Sequence, residues 1–536
     1  MKTSIPWGHL ILALALICTT RSVAAEEPFD LVIEGGLVFS GDGSPGRETD
    51  VGIRADRIAE LGDLSDRASR QRLQVTGLAV TPGFIDIHSH AQRGTVEKSG
   101  ILKWPDAENY LRQGVTTAIG GPDGSSWYPL NEFFAMLEEA PSSVNFGSFV
   151  GHNTVREQVL GRADRAPDAE ELEAMKAIVA AEMQAGAYGL SSGLKYIPGA
   201  YAELDEVVAL ARVAGQYGGI YITHMREEGL GLIASVEETI RIGEEGGLPV
   251  QITHHKAMGA RMWGKSAETL AMVEAANLQG VDVSSDQYPY AASSTGVSVL
   301  FPAWSLADSR DVLLARLADP KTRARVKKGV IQNIRYDRGG NDPARVAIAS
   351  CDWDPSLNGY NLAEVLQARG LEPNIENAAE LVLELEEKGG CMAVYHAMSD
   401  EDVVRIMQHP RTMVASDGGI HMPAADRPHP RNYGSFARVL GRYVREQNVL
   451  SFEAAIYKMT RMPADRIGLS DRGRIEPGAI ADISVLDPGR VIDRATFKDP
   501  HQFSEGVEHV FINGQAALLN GEMTGARPGR ILRHRQ

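Results

Sequence analysis

The sequence is poor in cysteine and has no run rich in lysine and arginine. Of its three cysteines, Cys18 lies in an apolar N-terminal segment, so Cys351 and Cys391 alone remain for the folded chain. A scaffold held by several disulfides is therefore excluded, and buried thiols are the simplest interpretation of the remaining pair. The formal net charge of -16 repels nucleic acid and anionic membrane surfaces. We expect no nucleic-acid partner.

The N-terminus also lacks an apolar run long enough to span a bilayer comfortably. Lys2 is followed by an apolar stretch from about His9 to Cys18, and then by small residues before Glu26. This pattern is typical of a secretory signal peptide over residues 1–25, and it predicts an exported protein, periplasmic or secreted. A permanent membrane anchor is the weaker alternative, and bulky Ile17 argues against lipid attachment at Cys18.

Both ends of the remaining chain have the pattern of short antiparallel strands. Residues 26–80 alternate apolar and polar positions between glycine, aspartate and proline turns. Residues 466–536 repeat this pattern, with turn residues at Pro477-Gly478 and Asn513-Gly514. We therefore expect the two ends to fold together as a small β-sandwich domain.

Between these ends, short apolar strands alternate with amphipathic helices, which predicts an α/β fold. Polar residues stand at the ends of the expected strands, most of them about 30 residues apart, which is close to the length of one βα unit. Eight such units predict a TIM-like (β/α)8 barrel over residues 81–465, with an insertion at about 291–395 that could cover the active site. The strand-end positions are His90, Asp123, His152, Lys195, His224, His254, Asp286 and Asp417.

A candidate metal site begins with His88 and His90, two residues apart on one strand. Their imidazoles project from the same face and can bind one ion. Two hydrogen-bonded histidines at a strand end would explain the pair alone equally well. Further candidate ligands occur in phase with the barrel repeat, however: His224, His254 and Asp417. A chance alignment of all five is improbable.

Several motifs along the sequence point to a specific protein family: PGFIDIHSH, GHNTVR, GLSSGLKYIPG, GGIYITHMREEG, ITHHKAMG, QYPYAASST and SDGGIHMPAADRPHPRNYG. The chain resembles the amidohydrolase superfamily, and within it the D-aminoacylase group, over nearly all of its mature length. The resemblance implies zinc-dependent hydrolysis of N-acyl-D-amino acids to a carboxylate and a free D-amino acid. It implies that Asp417 binds metal and acts as the catalytic acid and base. It also implies zinc binding by His88, His90, His224 and His254, with His255 behind them.

One position departs from the family, because relatives commonly have cysteine where this chain has Asp123 in GVTTAIGGPDGSS. Lys195 occupies the strand end at which other branches of the superfamily carry a CO2-carboxylated lysine. We therefore expect two zinc ions bridged by carboxylated Lys195, since a carbamate is a bidentate anion. The alternative is that Asp123 is itself a ligand in place of cysteine, and that Lys195 binds the substrate carboxylate.

The substrate should be a small molecule with a free carboxylate, and cations must hold it against the acidic net charge. Arg431 is the first candidate, because a guanidinium can hold a carboxylate with two parallel hydrogen bonds. The resemblance implies that four more residues line the same substrate pocket: Lys256, Tyr288, Tyr196 and Ser294.

Three other functions compete with deacylation. A metallo-dipeptidase or prolidase-like enzyme would use the same barrel and the same metal chemistry. A lactonase or phosphotriesterase-like hydrolase ranks third, because the QYPY and HPR segments favour a substrate with a carboxylate. A non-catalytic assembly protein related to hydantoinases is disfavoured, since every ligand position is filled.

Overall fold

The computed structural model describes residues 1–4, 27–92, 95, 96 and 98–534, so nearly all of the predicted signal peptide lies outside the described residues. Most of the described chain alternates between strands and helices. The strands are β1 (Phe29–Val38), β2 (Arg47–Arg54), β3 (Arg57–Gly62), β4 (Ser69–Gln74), β5 (Ala79–Pro82), β6 (Phe84–Asp86), β7 (Val115–Gly120), β8 (Asn145–Ser148), β9 (Val150–Gly151), β10 (Gly189–Gly193), β11 (Ile220–His224), β12 (Val250–Ile252), β13 (Val283–Gln287), β14 (Ser293–Gly296), β15 (Val346–Ser350), β16 (Met392–Tyr395), β17 (Thr412–Val414), β18 (Ile483–Leu486), β19 (Val507–Ile512), β20 (Gln515–Leu519) and β21 (Glu522–Met523).

The helices lie mostly between residues 100 and 466, and within the described ranges none is long and apolar enough to cross a membrane. A π-helix, Val439–Glu446, directly continues the α-helix Arg431–Arg438. The α-helices are α1 (Gly100–Lys103), α2 (Glu108–Leu111), α3 (Leu130–Glu139), α4 (His152–Leu160), α5 (Ala169–Ala185), α6 (Leu204–Gln216), α7 (Leu232–Gly246), α8 (Ser266–Leu278), α9 (Arg310–Ala318), α10 (Pro320–Tyr336), α11 (Leu362–Ala368), α12 (Ile375–Lys388), α13 (Asp400–Gln408), α14 (Arg431–Arg438), α15 (Phe452–Met459) and α16 (Arg461–Arg466).

The two chain ends share one sheet. Its order is β21-β20-β19-β18-β5-β1-β2-β3, with β4 paired to β1, and the neighbours are antiparallel except for the pairs β1–β4 and β1–β5. Strands β19 and β20 are joined by Asn513 and Gly514, whose φ angles of 50° and 78° are those of a tight hairpin turn. The antiparallel strands expected at both ends are therefore present and hydrogen-bonded together.

The middle of the chain forms two sheets in which every pair of strands is parallel. One has the order β6-β7-β8, and the other has the order β17-β13-β12-β11-β10-β9. The seam between the first strand and the last carries a backbone hydrogen bond, because Asp417 N donates to His88 O at 3.0 Å. Their residues are almost all buried, as in parallel sheets covered by helices on the outside.

Helix α5 illustrates how the sequence determines these connections. Asp168 accepts a hydrogen bond from Glu171 N, and the Glu171 side chain accepts one from Asp168 N, so the two residues form a capping box. Gly186 ends the helix with a φ of 110°. The stripe of Met175, Val179 and Met183 is buried, and it packs the helix against the strands as core.

The predicted insertion has a small sheet and an apolar core of its own. Its antiparallel sheet has the order β14-β16-β15, and helices α9 to α12 pack beside it. Cys351 and Cys391 are joined by a disulfide across 40 residues of this segment. Buried thiols were therefore the wrong interpretation of the pair: both side chains are buried, but their Cα atoms lie 4.5 Å apart, within the range for a disulfide.

Candidate metal centre

The candidate ligands converge at the carboxyl ends of the parallel strands. His224 is the last residue of β11, and the others directly follow β6, β7, β12 and β17. Three of them have positive φ angles: 53° at Asp123, 36° at His254 and 49° at Asp417. Non-glycine residues seldom adopt this conformation, and such backbone strain is concentrated at functional sites.

The Asp123 carboxylate lies between the four histidines. Its Oδ1 is 3.5 Å from His88 Nε2 and 3.3 Å from His254 Nε2. Its Oδ2 is 3.5 Å from His90 Nε2 and 3.7 Å from His224 Nδ1. Two sets of possible metal ligands therefore share Asp123: one with His88, His90 and Asp417, and one with His224 and His254. A carboxylate in this position can bridge two ions.

The donor atoms fit a metal. Among the candidate ligands, four buried ring nitrogens have no hydrogen-bond partner in the described structure: Nδ1 and Nε2 of His88, Nδ1 of His224 and Nε2 of His254. Burial lowers the pKa of His224 to about 4, so this ring is neutral at neutral pH, as coordination requires. Burial raises the pKa of Asp123, but the imidazoles of His88 and His254 more than offset this, and the pKa lies well below its usual value. Unpartnered imidazoles around an ionised carboxylate are a suitable environment for a cation.

Asp417 lies at the edge of this cluster between a histidine and an arginine. Its Oδ1 is 3.1 Å from His90 Nε2 and 3.6 Å from His88 Nε2, while Arg431 Nη1 donates to Oδ2 at 2.6 Å. Burial raises the pKa of Asp417, but Arg431 and the histidines lower it further than burial raises it. The carboxylate is therefore ionised and able to accept a proton.

Two buried carboxylates stand behind the histidines. Asp286 Oδ1 is 3.5 Å from His88 Nδ1 and accepts a hydrogen bond from His254 N at 2.7 Å. Glu228 Oε1 is 3.1 Å from His254 Nδ1, and its Oε2 is 3.4 Å from His224 Nε2. Such outer carboxylates orient the rings of metal-binding histidines.

Sequence reasoning missed Glu228 and Arg338. Arg338 reaches the site from the insertion and donates to Glu228 Oε2 at 2.8 Å, and both residues are almost fully buried. No spacing signal marks Arg338, because it lies in an irregular segment after α10. Glu228 could have been suspected from its place four residues after His224 in HMREE.

Lys195 contacts two carboxylates in the structure, and the carbamate bridge expected from the sequence stays a prediction. Lys195 Nζ donates to both oxygens of Glu227, at 2.9 and 3.0 Å, and to Asp337 Oδ2 at 3.3 Å. A carbamate here would be an anion facing two carboxylates, whereas an ammonium is stabilised by them. The side chain instead borders a cavity of about 580 Å³ that Tyr196, Arg226 and Phe301 also line. Asp123 occupies the position between the two ligand sets.

The residues predicted to bind substrate lie beside the ligands. Lys256 Nζ donates to Glu228 Oε1 at 2.6 Å, and it lies 5.6 Å from the centre of the Tyr288 ring. Arg431 stands over the same ring at 5.0 Å and donates to the backbone oxygen of Ser294 at 3.4 Å. The ring centre of Tyr196 is 4.5 Å from that of His224. All five residues therefore surround one side of the cluster: Lys256, Tyr288, Arg431, Ser294 and Tyr196.

Comparison with known proteins agrees with this geometry. A sequence model of the amidohydrolase family matches residues 75–517. D-aminoacylase of Alcaligenes xylosoxydans xylosoxydans is 37% identical, over 95% of this chain and 99% of its own. N-acyl-D-glutamate deacylase of the same organism is 38% identical, over 95% and 97%. The N-acyl-D-glutamate deacylase of Bordetella bronchiseptica, solved with zinc and a phosphonate mimic of the tetrahedral intermediate, is 33% identical over 95% of this chain and all of its own, with a TM-score of 0.81. The chain belongs to the amidohydrolase family, in the group that contains D-aminoacylase and N-acyl-D-glutamate deacylase.

Proposed function

We propose that this protein is a zinc-dependent hydrolase that cleaves the amide bond of N-acyl-D-amino acids, releasing a carboxylate and a free D-amino acid. The observation that carries the proposal is the Asp123 carboxylate among four histidines, with Asp417 next to His90. The relatives support the substrate class, because those named above act on N-acyl-D-amino acids and one was solved with zinc.

Zinc is the metal that these donors favour, since imidazole nitrogens and carboxylate oxygens are its usual ligands. Asp123 would bridge two ions, one held with His88, His90 and Asp417 and the other with His224 and His254. When bound, zinc supplies Lewis acidity towards a water molecule and towards the scissile carbonyl. The relatives' cysteine is thereby replaced by a carboxylate, which is also anionic and also able to bind two ions.

Asp417 is the residue that transfers a proton from the attacking water to the leaving nitrogen. Its Oδ1 faces the histidine cluster, where it can accept a proton from the attacking water and then donate it to the leaving nitrogen. The second transfer is needed because an amide anion is a very poor leaving group. Arg431 holds Oδ2 of the same carboxylate and so fixes the direction in which Oδ1 points.

Arg431 and Lys256 bind the substrate carboxylate. Both cations stand near the ring of Tyr288, and each is paired with one carboxylate of the protein, Asp417 or Glu228. A guanidinium has five donors, so Arg431 can bind a substrate carboxylate while it still holds Asp417. Tyr196 and Ser294 would line the same pocket.

We also propose that the parallel strands close into a (β/α)8 barrel over residues 81–465. The support is that all strand pairs in the sheets β6-β7-β8 and β17-β13-β12-β11-β10-β9 are parallel. Hydrogen bonds also join the segments that follow the first and last strands, from Asp417 N to His88 O and from Ser416 N to Asp86 Oδ1. Residues 26–80 and 466–536 then form the accessory β domain, as a sandwich, and about 291–395 the insertion. Binding groups supplied by strand ends are characteristic of this fold.

Export is part of the same proposal. The N-terminal pattern of one lysine, an apolar run and small residues supports a signal peptide over 1–25, and the disulfide between Cys351 and Cys391 suits an oxidising compartment. The mature enzyme would then work in the periplasm or outside the cell.

The test is hydrolysis of a matched panel by the mature protein: N-acetyl-D-amino acids, the L enantiomers, dipeptides and lactones, with zinc measured in the same sample. We expect D-selective deacylation and at least two zinc ions per chain, two of them in the Asp123 cluster. Asp417→Asn leaves Asp123 and the four histidines in place, so it should keep the zinc while losing about 10²–10⁴-fold in kcat. If the protein hydrolysed only dipeptides or only lactones, it would be a peptidase or a lactonase instead of a deacylase. If the purified protein contained no zinc, the proposed mechanism would be refuted.

A further inference from the structure

A second cluster of metal-binding side chains lies apart from the Asp123 cluster. His421 and Asp426 belong to the loop between β17 and α14, which also carries Asp417 near its start, and His501 belongs to the segment between β18 and β19. One donor atom from each of the three side chains lies within 4.8 Å of the other two. This group shares no residue with the candidate ligands of the Asp123 cluster.

The three donors face one another in a way that suits a single ion. His421 Nε2 is 3.1 Å from Asp426 Oδ2, and His501 Nε2 is 3.1 Å from Asp426 Oδ1. The two imidazoles are nearly parallel, with an angle of 9° between their planes and 5.6 Å between their centres. Two imidazoles and one carboxylate are the ligand set of many zinc sites that keep one position for water.

Neighbouring side chains hold the two imidazole rings in place, and the site remains accessible to water. Tyr433 Oη is 2.9 Å from His501 Nδ1, so it can accept a hydrogen bond from the nitrogen that faces away from the ion. The ring of Trp104 packs edge-on against His421. The side chains of His421 and Asp426 are 23% and 21% exposed, so water can reach the fourth position.

We propose that His421, Asp426 and His501 bind one divalent transition-metal ion of the zinc type, at a site distinct from the Asp123 cluster. Bound there, the ion ties the loop between Asp417 and Arg431 to the C-terminal part of the chain. The inference does not depend on the proposed deacylase activity, because it concerns a separate set of ligands.

The test is a titration of chelator-treated full-length protein with Zn²⁺, with bound metal measured by elemental analysis after equilibrium dialysis. Four proteins are compared: the wild type, His421→Gln, His501→Gln and the control His409→Gln. His409 is a suitable control because it is a histidine beside a single carboxylate, Glu274, at 3.0 Å. We expect the wild type and the control to bind one zinc ion more than the other two variants. Equal stoichiometry in all four would overturn the proposal.

A second measurement needs no variant and so does not depend on whether a variant folds. The wild type is treated with diethyl pyrocarbonate with and without Zn²⁺, and the modified histidines are identified by peptide mass spectrometry. Zinc should slow modification of His421 and His501 at least about tenfold and leave His409 unchanged. Unchanged rates at both residues would count against the site. The catalytic assay separates this result from the proposed function, since loss of the second site removes one zinc and leaves the Asp123 cluster filled.

Discussion

Position 123 places a carboxylate between the two groups of candidate metal ligands. A carboxylate offers two oxygens, and here each oxygen faces two imidazoles. A thiolate, the group that the family resemblance implies at this position, would offer one soft sulfur to both ions. Asp123 therefore keeps the negative charge and the bridging position while it changes the preference of the site towards harder metals.

Replacing Asp123 with asparagine should weaken zinc binding by more than about 100-fold, because even substitutions behind the ligands cost about 10–100-fold in metal affinity. Asp123→Cys should remain within about tenfold of the wild type, since a thiolate restores an anionic ligand. Zinc retained after dialysis against a graded chelator measures both.

Lys195→Ala is the control for this series, and it should retain full zinc whether or not bicarbonate is supplied. If Lys195→Ala lost the metal and Asp123→Asn kept it, the bridge would belong to the lysine after all.

At the level of secondary structure, the N-terminus of helix α3 is hydrogen-bonded to a buried carboxylate. Glu182 comes from α5, is 3% exposed, and accepts a hydrogen bond from Leu130 N at 2.8 Å. A carboxylate is favourable at a helix N-terminus, but burial outweighs this hydrogen bond and raises the pKa of Glu182 to about 7. The pair of helices is therefore held together by a group that titrates near neutral pH.

Glu182 should make the protein less stable as the pH rises. The folded pKa lies above that of the unfolded chain, so the stability that the protonated form contributes is present below about pH 4.5 and is lost as the pH rises through about 7. Glu182→Gln keeps an acceptor for Leu130 N and should stabilise the protein by about 2 kcal/mol at pH 8, and by little at pH 4.5.

Thermal melts of wild type and Glu182→Gln at the two pH values measure this difference. Lys176→Gln on the exposed face of the same helix is the control, because its only described partner is Glu173. An equal effect of Glu182→Gln at both pH values would contradict a raised pKa.

Much of this architecture could be predicted from local sequence. Capping at Asp168, the turn at Asn513-Gly514 and the strand-end spacing each depend on nearby residues, and each agrees with the structure. The contacts of Lys195 could not be predicted in this way, because they are made with Glu227 and with Asp337, which is 142 residues away in the insertion. Arg338 was missed for the same reason. The ion pairs made by residues in an irregular segment depend on how the insertion packs against the rest of the chain. No periodicity in the sequence predicts that packing.

At the scale of the whole molecule, the metal cluster joins distant parts of the chain. Its ligands follow β6, β7, β12 and β17 or end β11, so an ion bound among them links strands that are more than 300 residues apart in sequence. A metal that binds only the folded state stabilises it by mass action.

Removing zinc should therefore lower the thermal stability of the entire described fold. At a free zinc concentration about 1,000 times the dissociation constant, the loss is about 4 kcal/mol. Differential scanning calorimetry of chelated and zinc-loaded protein measures it, and Asp123→Asn should already melt like the chelated wild type. A melting temperature that does not depend on zinc would show that the ligands are held without the ion.

The strand order of the terminal sheet determines when during synthesis that sheet can be completed. Strand β5 lies between β1 and β18, so one of its edges stays open until residue 486 has been synthesised. At about 5–20 residues per second, the roughly 400 intervening residues take on the order of 20–80 seconds. During that time β5, which precedes β6 and the candidate ligands His88 and His90, is paired along one edge only. The terminal sheet is therefore completed only when its last strands, β18 to β21, have been synthesised.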